Sequence, residues 1–213
     1  MSKLLYVVGS PRGGESRSAV IADRYLAALR DRLPDLEVDV LDLWHEALPE
    51  FDGDKAAAKM TVIGGGNLAG RVRTAWEDIT AVTSRFTAAD HYLFTVPMWN
   101  GGIPYRLKLY IDLLMQPGIL FGFNPQDGYT GLLKGKSAAA VYTSGVYQPG
   151  MPPAFGADFH ASYMDYWLRA IGIEQIETLR YQPTLRSTEP EAVLSAALSA
   201  ADAAAQRTAL LLP

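Results

Sequence analysis

Residues 4–18 carry the strongest signal in the chain and read Leu4-Leu5-Tyr6-Val7-Val8-Gly9-Ser10-Pro11-Arg12-Gly13-Gly14-Glu15-Ser16-Arg17-Ser18. An apolar strand runs here into a turn rich in glycine and serine, and that turn opens a helix. Because a helix N-terminus presents unpaired N–H groups and a partial positive charge, the turn is predicted to bind a phosphate. The hydroxyls of Ser10, Ser16 and Ser18 are candidate donors. The competing interpretation is an ordinary turn in which Ser16 or Ser18 only caps the helix.

This turn differs from the two common nucleotide-binding loops. A nucleoside-triphosphate loop would place a lysine after its second glycine, whereas Gly14 is followed by Glu15 and Ser16. The Gly-x-Gly-x-x-Gly spacing of dinucleotide sites is also absent from the turn. We therefore expect a single terminal phosphate, as on a mononucleotide cofactor that requires no magnesium.

Composition limits the classes of protein to which the chain can belong. With 213 residues, 49% of them hydrophobic and 20% charged, one α/β domain over residues 1–213 is expected. The net charge of −4 argues against a nucleic-acid partner. The absence of cysteine and the wide spacing of the three histidines argue against a metal site. A membrane-length apolar run and a cleavable apolar leader are both lacking, so a cytoplasmic protein without a membrane partner is predicted.

Strand-like and helix-like segments alternate along the chain, which is typical of a parallel sheet covered by helices. The predicted strands are Lys3–Gly9, Glu37–Leu43, His91–Val96, Ser137–Thr143 and Glu174–Arg180. The predicted helices are Ser16–Leu33, Leu68–Thr87, Pro104–Met115, Asp158–Ile171 and Pro190–Leu211. Residues 44–66 have mixed character and are the least readable part, and residues 115–134 are interpreted as a long aromatic loop. The pattern predicts a flavodoxin-like, doubly wound sheet of order 2-1-3-4-5, with helices on both faces and its second strand at the edge.

This strand order also predicts where a ligand binds. Ligands of open α/β sheets lie beyond the carboxyl ends of the strands, at the point where the strand order reverses. Three loops meet at that point in the predicted sheet, namely Ser10–Ser18, Pro97–Pro104 and Thr143–Pro149. We therefore expect a site formed by these loops.

The second and third loops are suited to a flat heterocycle. Met98 and Trp99 can cover a ring, and the backbone N–H groups of residues 99–101 can meet its polar atoms. In the third loop, backbone donors and the Tyr147 hydroxyl can meet the opposite polar edge of the ring. The competing interpretations are a helix start capped by Asn100, with Trp99 packing at the rim, and a plain surface turn at residues 143–150.

Taken together, the three loops resemble those of the FMN-dependent NAD(P)H oxidoreductases of the azoreductase and quinone reductase type. Ser10 and Ser16-Arg17-Ser18 keep the spacing of that family's phosphate-binding serines, and Pro97-Met98-Trp99-Asn100-Gly101 matches its turn against the flavin. Ser144-Gly145-Val146-Tyr147 is similar to the turn at the flavin's dione edge but is one glycine shorter. The predicted cofactor-binding residues are Ser10, Arg12, Ser16, Arg17, Ser18, Pro97, Met98, Trp99, Asn100, Gly101, Ser144, Gly145 and Tyr147.

The resemblance implies an enzyme that holds FMN non-covalently and takes electrons from NADH or NADPH. It implies a ping-pong transfer of two electrons to quinones or azo compounds, in which the flavin carries the chemistry and no catalytic side chain is required. It further implies a homodimer with its active sites at the interface. Candidates for the substrate wall above the flavin are Phe121, Phe123, Tyr163 and Trp167. The alternatives are a general NADPH-dependent FMN or chromate reductase and a flavodoxin-like electron carrier.

Overall fold

The structure is a computed structural model that describes residues 2–212, and a parallel sheet forms its centre. All strands are numbered in chain order, so the two strands of a separate hairpin are β4 and β5. The strands of the sheet are β1 Lys3–Val8, β2 Glu37–Asp42, β3 His91–Pro97, β6 Ser137–Thr143 and β7 Gln175–Tyr181. The hairpin consists of β4 Phe121–Asn124 and β5 Gly128–Gly131. The sheet order is β2-β1-β3-β6-β7, and each neighbouring pair is parallel. The predicted order 2-1-3-4-5 is therefore confirmed, with β2 at the edge.

Helices fill most of the connections between the strands. They are α1 Arg17–Arg30, α2 Gly53–Ile63, α3 Gly70–Thr87, α4 Tyr105–Leu114, α5 Ala161–Ala170 and α6 Pro190–Ala209. Five of them coincide with the predicted helices to within a few residues at each end. Across residues 2–212, none of these helices combines the length and the apolar character that crossing a membrane would require.

Alternating side chains of the strands divide the core into two hydrophobic clusters. Leu4 and Tyr6 pack with α1 and α6, whereas Leu5 and Val7 pack in the cluster that contains residues of α3, α4 and α5. Successive residues of a strand point to opposite faces, which explains this division. In β6 every residue is buried, because this strand is covered on both faces.

Two elements lie in segments for which no regular structure was predicted. Helix α2 lies within residues 44–66 and is capped by Asp52, whose side chain accepts from the Lys55 N–H at 3.0 Å. The predicted aromatic loop at residues 115–134 contains the β4–β5 hairpin, so that prediction is wrong in part. The hairpin turns through residues 125–127, and Gly128, which pairs with Asn124 directly after the turn, has φ +79°, a conformation that favours glycine.

A buried polar chain joins the sheet to α1 and α6 near the start of β3. His91 Nδ1 lies 2.7 Å from the Ser137 Oγ, and Nε2 lies 2.8 Å from the Tyr25 hydroxyl. Tyr25 in turn donates to the Thr208 Oγ1 at 2.8 Å. Burial lowers the pKa of His91 to about 3, so this ring is neutral in the folded protein at neutral pH.

Candidate functional site

The three predicted loops line one cavity of about 240 Å³ at the carboxyl ends of β1, β3 and β6. The lining residues are Ser10, Arg12, Ser16, Arg17, Pro97, Met98, Trp99, Thr143, Ser144, Gly145, Thr184 and Leu185. Nine of these residues belong to the predicted cofactor-binding set. The fold thus brings the first, second and third loops together, although they are far apart in sequence.

The start of the first loop, directly after β1, is fixed because both backbone polar groups of Gly9 are hydrogen-bonded. Its N–H donates to the Thr95 Oγ1 at 2.9 Å, and its carbonyl accepts from the Trp44 Nε1 at 3.0 Å. A Cβ at this position would overlap the Thr95 carbonyl oxygen. Glycine is therefore required where the chain passes closest to β3 on its way to the cavity.

The serines of the first loop have two different roles. Ser16 is the N-cap of α1, where its side chain accepts from the Ala19 N–H, so the capping interpretation is correct for this residue. Ser16 nevertheless lines the cavity, as does the buried Ser10. Ser18 is fully buried behind Ser16, with the two Oγ atoms 2.9 Å apart. Ser18 therefore supports the hydroxyl of Ser16 and does not itself line the cavity.

The charge of the cavity is positive. Arg12 and Arg17 are the charged residues among its lining, and none of the lining residues carries a carboxylate. Glu15 lies outside the lining, with an oxygen 3.6 Å from an Arg12 nitrogen, and both side chains are exposed. Hydroxyls, a helix N-terminus and two guanidinium groups form an arrangement that attracts a phosphate.

The second loop forms a tight turn held against the sheet. Trp99 and Gly102 exchange backbone hydrogen bonds of 3.0 Å, and the Met98 N–H donates to the Thr143 carbonyl at 2.7 Å. Asn100 (φ +51°) and Gly101 (φ +85°) occupy the two central positions, as a type I′ turn requires. Since the Trp99 N–H is used inside the turn, only the N–H groups of residues 100 and 101 remain as candidate donors from the predicted set.

This turn also corrects the competing prediction for Asn100. Helix α4 begins after Pro104, which occupies its N-cap position, so Asn100 does not cap it. Asn100 and Gly101 lie at the tip of the turn, outside the cavity lining. Gly101 instead accepts a backbone hydrogen bond from Phe159 at 3.2 Å, which ties the tip to the segment before α5.

The third loop is anchored to the segment that follows β7, so it is not a plain surface turn. The Thr184 and Leu185 N–H groups donate to the Ser144 and Gly145 carbonyls, each at 2.9 Å. Ser144 also donates its hydroxyl to the Tyr147 carbonyl. Tyr147 is half-buried and does not line the cavity. Thr184 and Leu185 do line it and were not predicted, although β7 ends beside β6.

A buried polar network supports the third loop from below. Gln182 donates to the Ser144 Oγ at 3.0 Å, and its Nε2 lies 3.3 Å from the Nε2 of the fully buried His160. His160 Nδ1 lies 2.9 Å from the Asp158 Oδ1, and Arg180 lies 3.1 Å from the other Asp158 oxygen. Burial lowers the pKa of His160 to about 4 despite the nearby Asp158 carboxylate. The network is thus organised around a neutral imidazole.

The predicted substrate wall is divided between the core and a second cavity. Phe121 and Phe123 line a cavity of about 750 Å³, which we call the aromatic cavity. Its lining is Lys59, Val62, Ile63, Met115, Pro117, Gly118, Phe121, Gly122, Phe123, Tyr129, Tyr166 and Ala170. Trp167 is only 2% exposed and packs against Phe86 and Phe94 in the core, so it does not face a substrate. Tyr163 is half-buried against the same core and lines neither cavity.

The two cavities lie at opposite ends of α4. The second loop leads into this helix at Pro104, whereas Met115, Pro117 and Gly118 follow its last turn and line the aromatic cavity. A helix of 10 residues is about 15 Å long. Phe121 and Phe123 therefore do not cover the three-loop cavity of their own chain.

Within residues 2–212, no group of three or more His, Cys, Asp or Glu side chains is arranged to hold a metal ion.

Comparison with known sequences gives one family and several named relatives. A family model described as the flavodoxin-like fold matches residues 2–205. A protein of Ruegeria pomeroyi named FMN-dependent NADH:quinone oxidoreductase is 51% identical over 204 residues, which cover 96% of this chain and 100% of that protein. A protein of the same name from Desulfotalea psychrophila is 40% identical over 92% of this chain and 93% of its own length.

Solved structures that resemble this chain include azoreductases. An azoreductase from Bacillus anthracis strain Sterne superimposes with a TM-score of 0.88 at 26% identity and covers 97% of this chain and 100% of its own. An FMN-dependent NADH-azoreductase from the Ames Ancestor strain, determined in complex with FMN, gives a TM-score of 0.86 at 23% identity. It covers 98% of this chain and 100% of its own, and at that identity it is evidence for the shared fold alone.

Proposed function

The chain belongs to the flavodoxin-like fold family, and on that premise we propose that it is an FMN-dependent oxidoreductase that passes two electrons from NADH to quinones or azo compounds. The observation that carries this proposal is the convergence of three loops on one positively charged cavity. The relatives at 51% and 40% identity are named FMN-dependent NADH:quinone oxidoreductase, which supports the same cofactor and reductant. In this proposal residues 1–213 act as a single FMN-binding domain, and the protein works in the cytoplasm, where NADH is available.

The residues of the first loop fit the phosphate end of FMN. Ser10 and Ser16 provide hydroxyl donors, the N-terminus of α1 provides N–H groups, and Arg12 and Arg17 provide positive charge. The absence of a carboxylate from the cavity lining means that a phosphate dianion meets no repulsion there. Ser18 holds the Ser16 hydroxyl from behind.

The other two loops fit the ring end of the same cofactor. Met98 and Trp99 offer an apolar surface, and Ser144 and Gly145 line the cavity from the neighbouring loop, which is held by Gln182. FMN supplies the two-electron redox chemistry when it is bound. Met98, Trp99, Ser144 and Gly145 would position it and offer neutral donors. We propose that NADH and the acceptor would bind in turn at one face, in a ping-pong order.

The size of the three-loop cavity favours a homodimer. About 240 Å³ is less than the roughly 300–1,000 Å³ typical of enclosed cofactor sites, so one chain encloses FMN only in part. The aromatic cavity, in contrast, is bordered by exposed rings, with Phe123 60%, Tyr129 69% and Tyr166 68% accessible. Exposed apolar patches of this kind mark interaction surfaces. We infer that the aromatic cavity of each subunit faces the three-loop cavity of its partner and forms the substrate wall there.

The test of the redox function is spectroscopic. We expect the purified protein, or protein mixed with FMN, to absorb near about 450 nm as an oxidised flavin does. Under anaerobic conditions NADH is expected to bleach that band, and a quinone or an azo dye is expected to restore it. Failure of NADH and NADPH to bleach a bound flavin would contradict the proposal, and accumulation of a stable one-electron semiquinone would favour an electron carrier instead.

The dimer is tested by a pair of surface variants. Tyr166→Asp places a charge on the exposed patch beside the aromatic cavity, so we expect light scattering to give the mass of a monomer and quinone reduction to be lost. Leu210→Asp changes another exposed apolar residue, after α6 and on the opposite side of the sheet, and is expected to remain dimeric. A Tyr166→Asp protein that remains dimeric and active would disprove this interface.

A further inference from the structure

The third loop has backbone donors that its own chain does not use. Its Ser144 and Gly145 carbonyls accept from the Thr184 and Leu185 N–H groups, each at 2.9 Å, so both carbonyls are held by the segment that follows β7. Within residues 2–212, no acceptor is hydrogen-bonded to the N–H groups of residues 145–147. Because Gly145 lines the three-loop cavity, the loop can offer donors to a ligand there.

The buried Gln182 amide fixes the side chain at the start of this loop. Its Nε2 donates to the Ser144 Oγ at 3.0 Å, and Ser144 in turn donates to the Tyr147 carbonyl. The other end of the amide, Oε1, accepts from Arg180 at 3.0 Å. Because an arginine can only donate, this contact determines which end of the amide points to the loop. Gln182 therefore holds the turn from Ser144 to Tyr147 in one conformation.

His160 provides the acceptor for the second donor of the Gln182 amide. The ring is fully buried, and its Nε2 lies 3.3 Å from the Gln182 Nε2. Since an amide nitrogen carries only donors, the imidazole Nε2 is the acceptor of this contact. The proton of the neutral ring is then on Nδ1, 2.9 Å from the Asp158 Oδ1. Burial lowers the pKa of His160 to about 4, so Nε2 keeps its lone pair at neutral pH.

We propose that His160 is a positioning residue that acts through Gln182 and Ser144 and raises the reduction potential of the bound flavin. By accepting from Gln182, it holds the third loop in the conformation that leaves the N–H groups of residues 145–147 available to a ligand. Such donors stabilise the negative charge that a flavin ring gains on reduction. This inference rests on the proposed function, but it concerns the potential of the cofactor and not the identity of the electron donor or acceptor.

The first measurement is the reduction potential of FMN bound to the wild type and to His160→Leu. Dithionite reduces the holoprotein anaerobically beside a reference dye, with neither NADH nor a quinone present. The leucine removes the acceptor and keeps an apolar side chain in the buried space. We expect an about tenfold loss of affinity for reduced relative to oxidised FMN, the effect of weakening a hydrogen bond to a charged group. For a two-electron couple this is a fall in potential of about 30 mV.

Two further variants serve as controls. His91 is also fully buried and contacts Ser137 and Tyr25, but it lies at the start of β3, at the end of the sheet away from the three-loop cavity. His91→Leu is therefore expected to lose stability in urea and to keep the wild-type potential. His160→Gln supplies an amide oxygen as acceptor and is expected to restore most of the potential. An unchanged potential in His160→Leu would overturn the inference, as would an equal fall in His91→Leu.

A double-variant cycle tests the route through Ser144. Ser144→Ala removes the hydroxyl to which Gln182 donates. If His160 acts through that hydroxyl, the fall in potential of the double variant His160→Leu/Ser144→Ala is smaller than the sum of the two single falls. Additive falls would contradict this route.

Amide hydrogen exchange tests the positioning of the loop without using the flavin. The Thr184 and Leu185 N–H groups report on it, because they donate to the carbonyls of the third loop. We expect both to exchange faster in His160→Leu than in the wild type and in His91→Leu, and equal rates would refute the inference. If NADH does not reduce the wild-type flavin but the dithionite titration shows the difference in potential, the proposed function fails and the positioning role stands.

Discussion

At the scale of single residues, the site depends on a serine that has two roles. Ser16 caps α1 and also lines the three-loop cavity. Ser16→Ala is expected to cost about 1 kcal/mol of unfolding free energy through the lost cap. It should also weaken FMN binding roughly fivefold, since a lost neutral hydrogen bond is worth about 1 kcal/mol. Titration of the apoprotein with FMN and urea unfolding measure the two effects.

Asp52→Ala is the matched control for this serine. Asp52 caps α2 as Ser16 caps α1, but it lies outside both the three-loop and the aromatic cavities. The variant is expected to lose similar stability and to bind FMN as the wild type does. If Ser16→Ala bound FMN with unchanged affinity, the Ser16 hydroxyl would be a cap alone.

A second residue-scale prediction concerns Gly9. A methyl group there overlaps the Thr95 carbonyl oxygen, which is backbone and cannot rotate away. We expect Gly9→Ala to lower the unfolding free energy by about 1–3 kcal/mol, as overpacked sites do. In Gly14→Ala the added methyl meets nothing within 4 Å, so thermal unfolding should be nearly unchanged. Equal stability of the two variants would show that β1 and β3 separate easily.

At the scale of secondary structure, the β4–β5 hairpin is the element that positions the substrate wall. Gly131, at the end of β5, lies so close to Gly172 after α5 that a Cβ on Gly131 would overlap the Gly172 backbone. Gly131→Ala is therefore expected to displace the hairpin, raise KM for quinones and leave FMN content at the wild-type level. Gly122→Ala, whose methyl would make only an ordinary contact with Leu132, is the stability control. A Gly131→Ala enzyme with wild-type KM would contradict this role of the hairpin.

The same hairpin shows where the sequence pattern stops being informative. The long strands could be predicted because β3 and β6 are continuous apolar runs, and their order followed from the alternation with helices. β4 and β5 have four residues each, and Phe121 alone is buried among them. Only Asp127-Gly128 indicates their turn. Helix α2 was missed for a similar reason, since it buries only Lys55 and Ala58.

The site, like the fold, could be predicted from the sequence only in part. Its three loops follow from the strand order, but Thr184 and Leu185 belong to no motif and line the cavity because β7 pairs with β6. Ser16 lines the cavity and Ser18 supports it from behind because of the geometry of the first turn of α1. The spacing of the serines in the sequence does not specify this difference. Likewise, the core position of Trp167 depends on tertiary packing against Phe86 and Phe94.

At the scale of the whole molecule, two buried histidines make stability depend on pH. The pKa values of His91 and His160 are lowered to about 3 and about 4, whereas an unfolded histidine titrates near about 6.5. Below that pH the unfolded chain binds more protons, so the unfolding free energy falls as pH falls. Each histidine is expected to contribute about 1.4 kcal/mol per pH unit between about pH 6 and its folded pKa.

Urea unfolding between pH 7 and pH 5 measures this effect. His45→Gln, which changes a side chain that is 81% exposed, is expected to keep the wild-type dependence on pH. His91→Gln is expected to be less stable at pH 7 but to lose less stability on acidification. A wild-type protein whose stability is flat over this range would show that both rings accept protons while folded.

The opposite placement of the two cavities along α4 has a consequence for inheritance as well as for catalysis. If every catalytic centre takes its cofactor loops from one polypeptide and its aromatic wall from another, two differently defective alleles can complement each other. Equal amounts of two chains, one with its three-loop cavity altered so that it binds no FMN and one with its aromatic cavity altered so that it binds no quinone, unfolded together and refolded, would yield mixed dimers with one intact centre each. Random pairing in a two-fold symmetric dimer restores about a quarter of the centres, whereas either parent alone restores none.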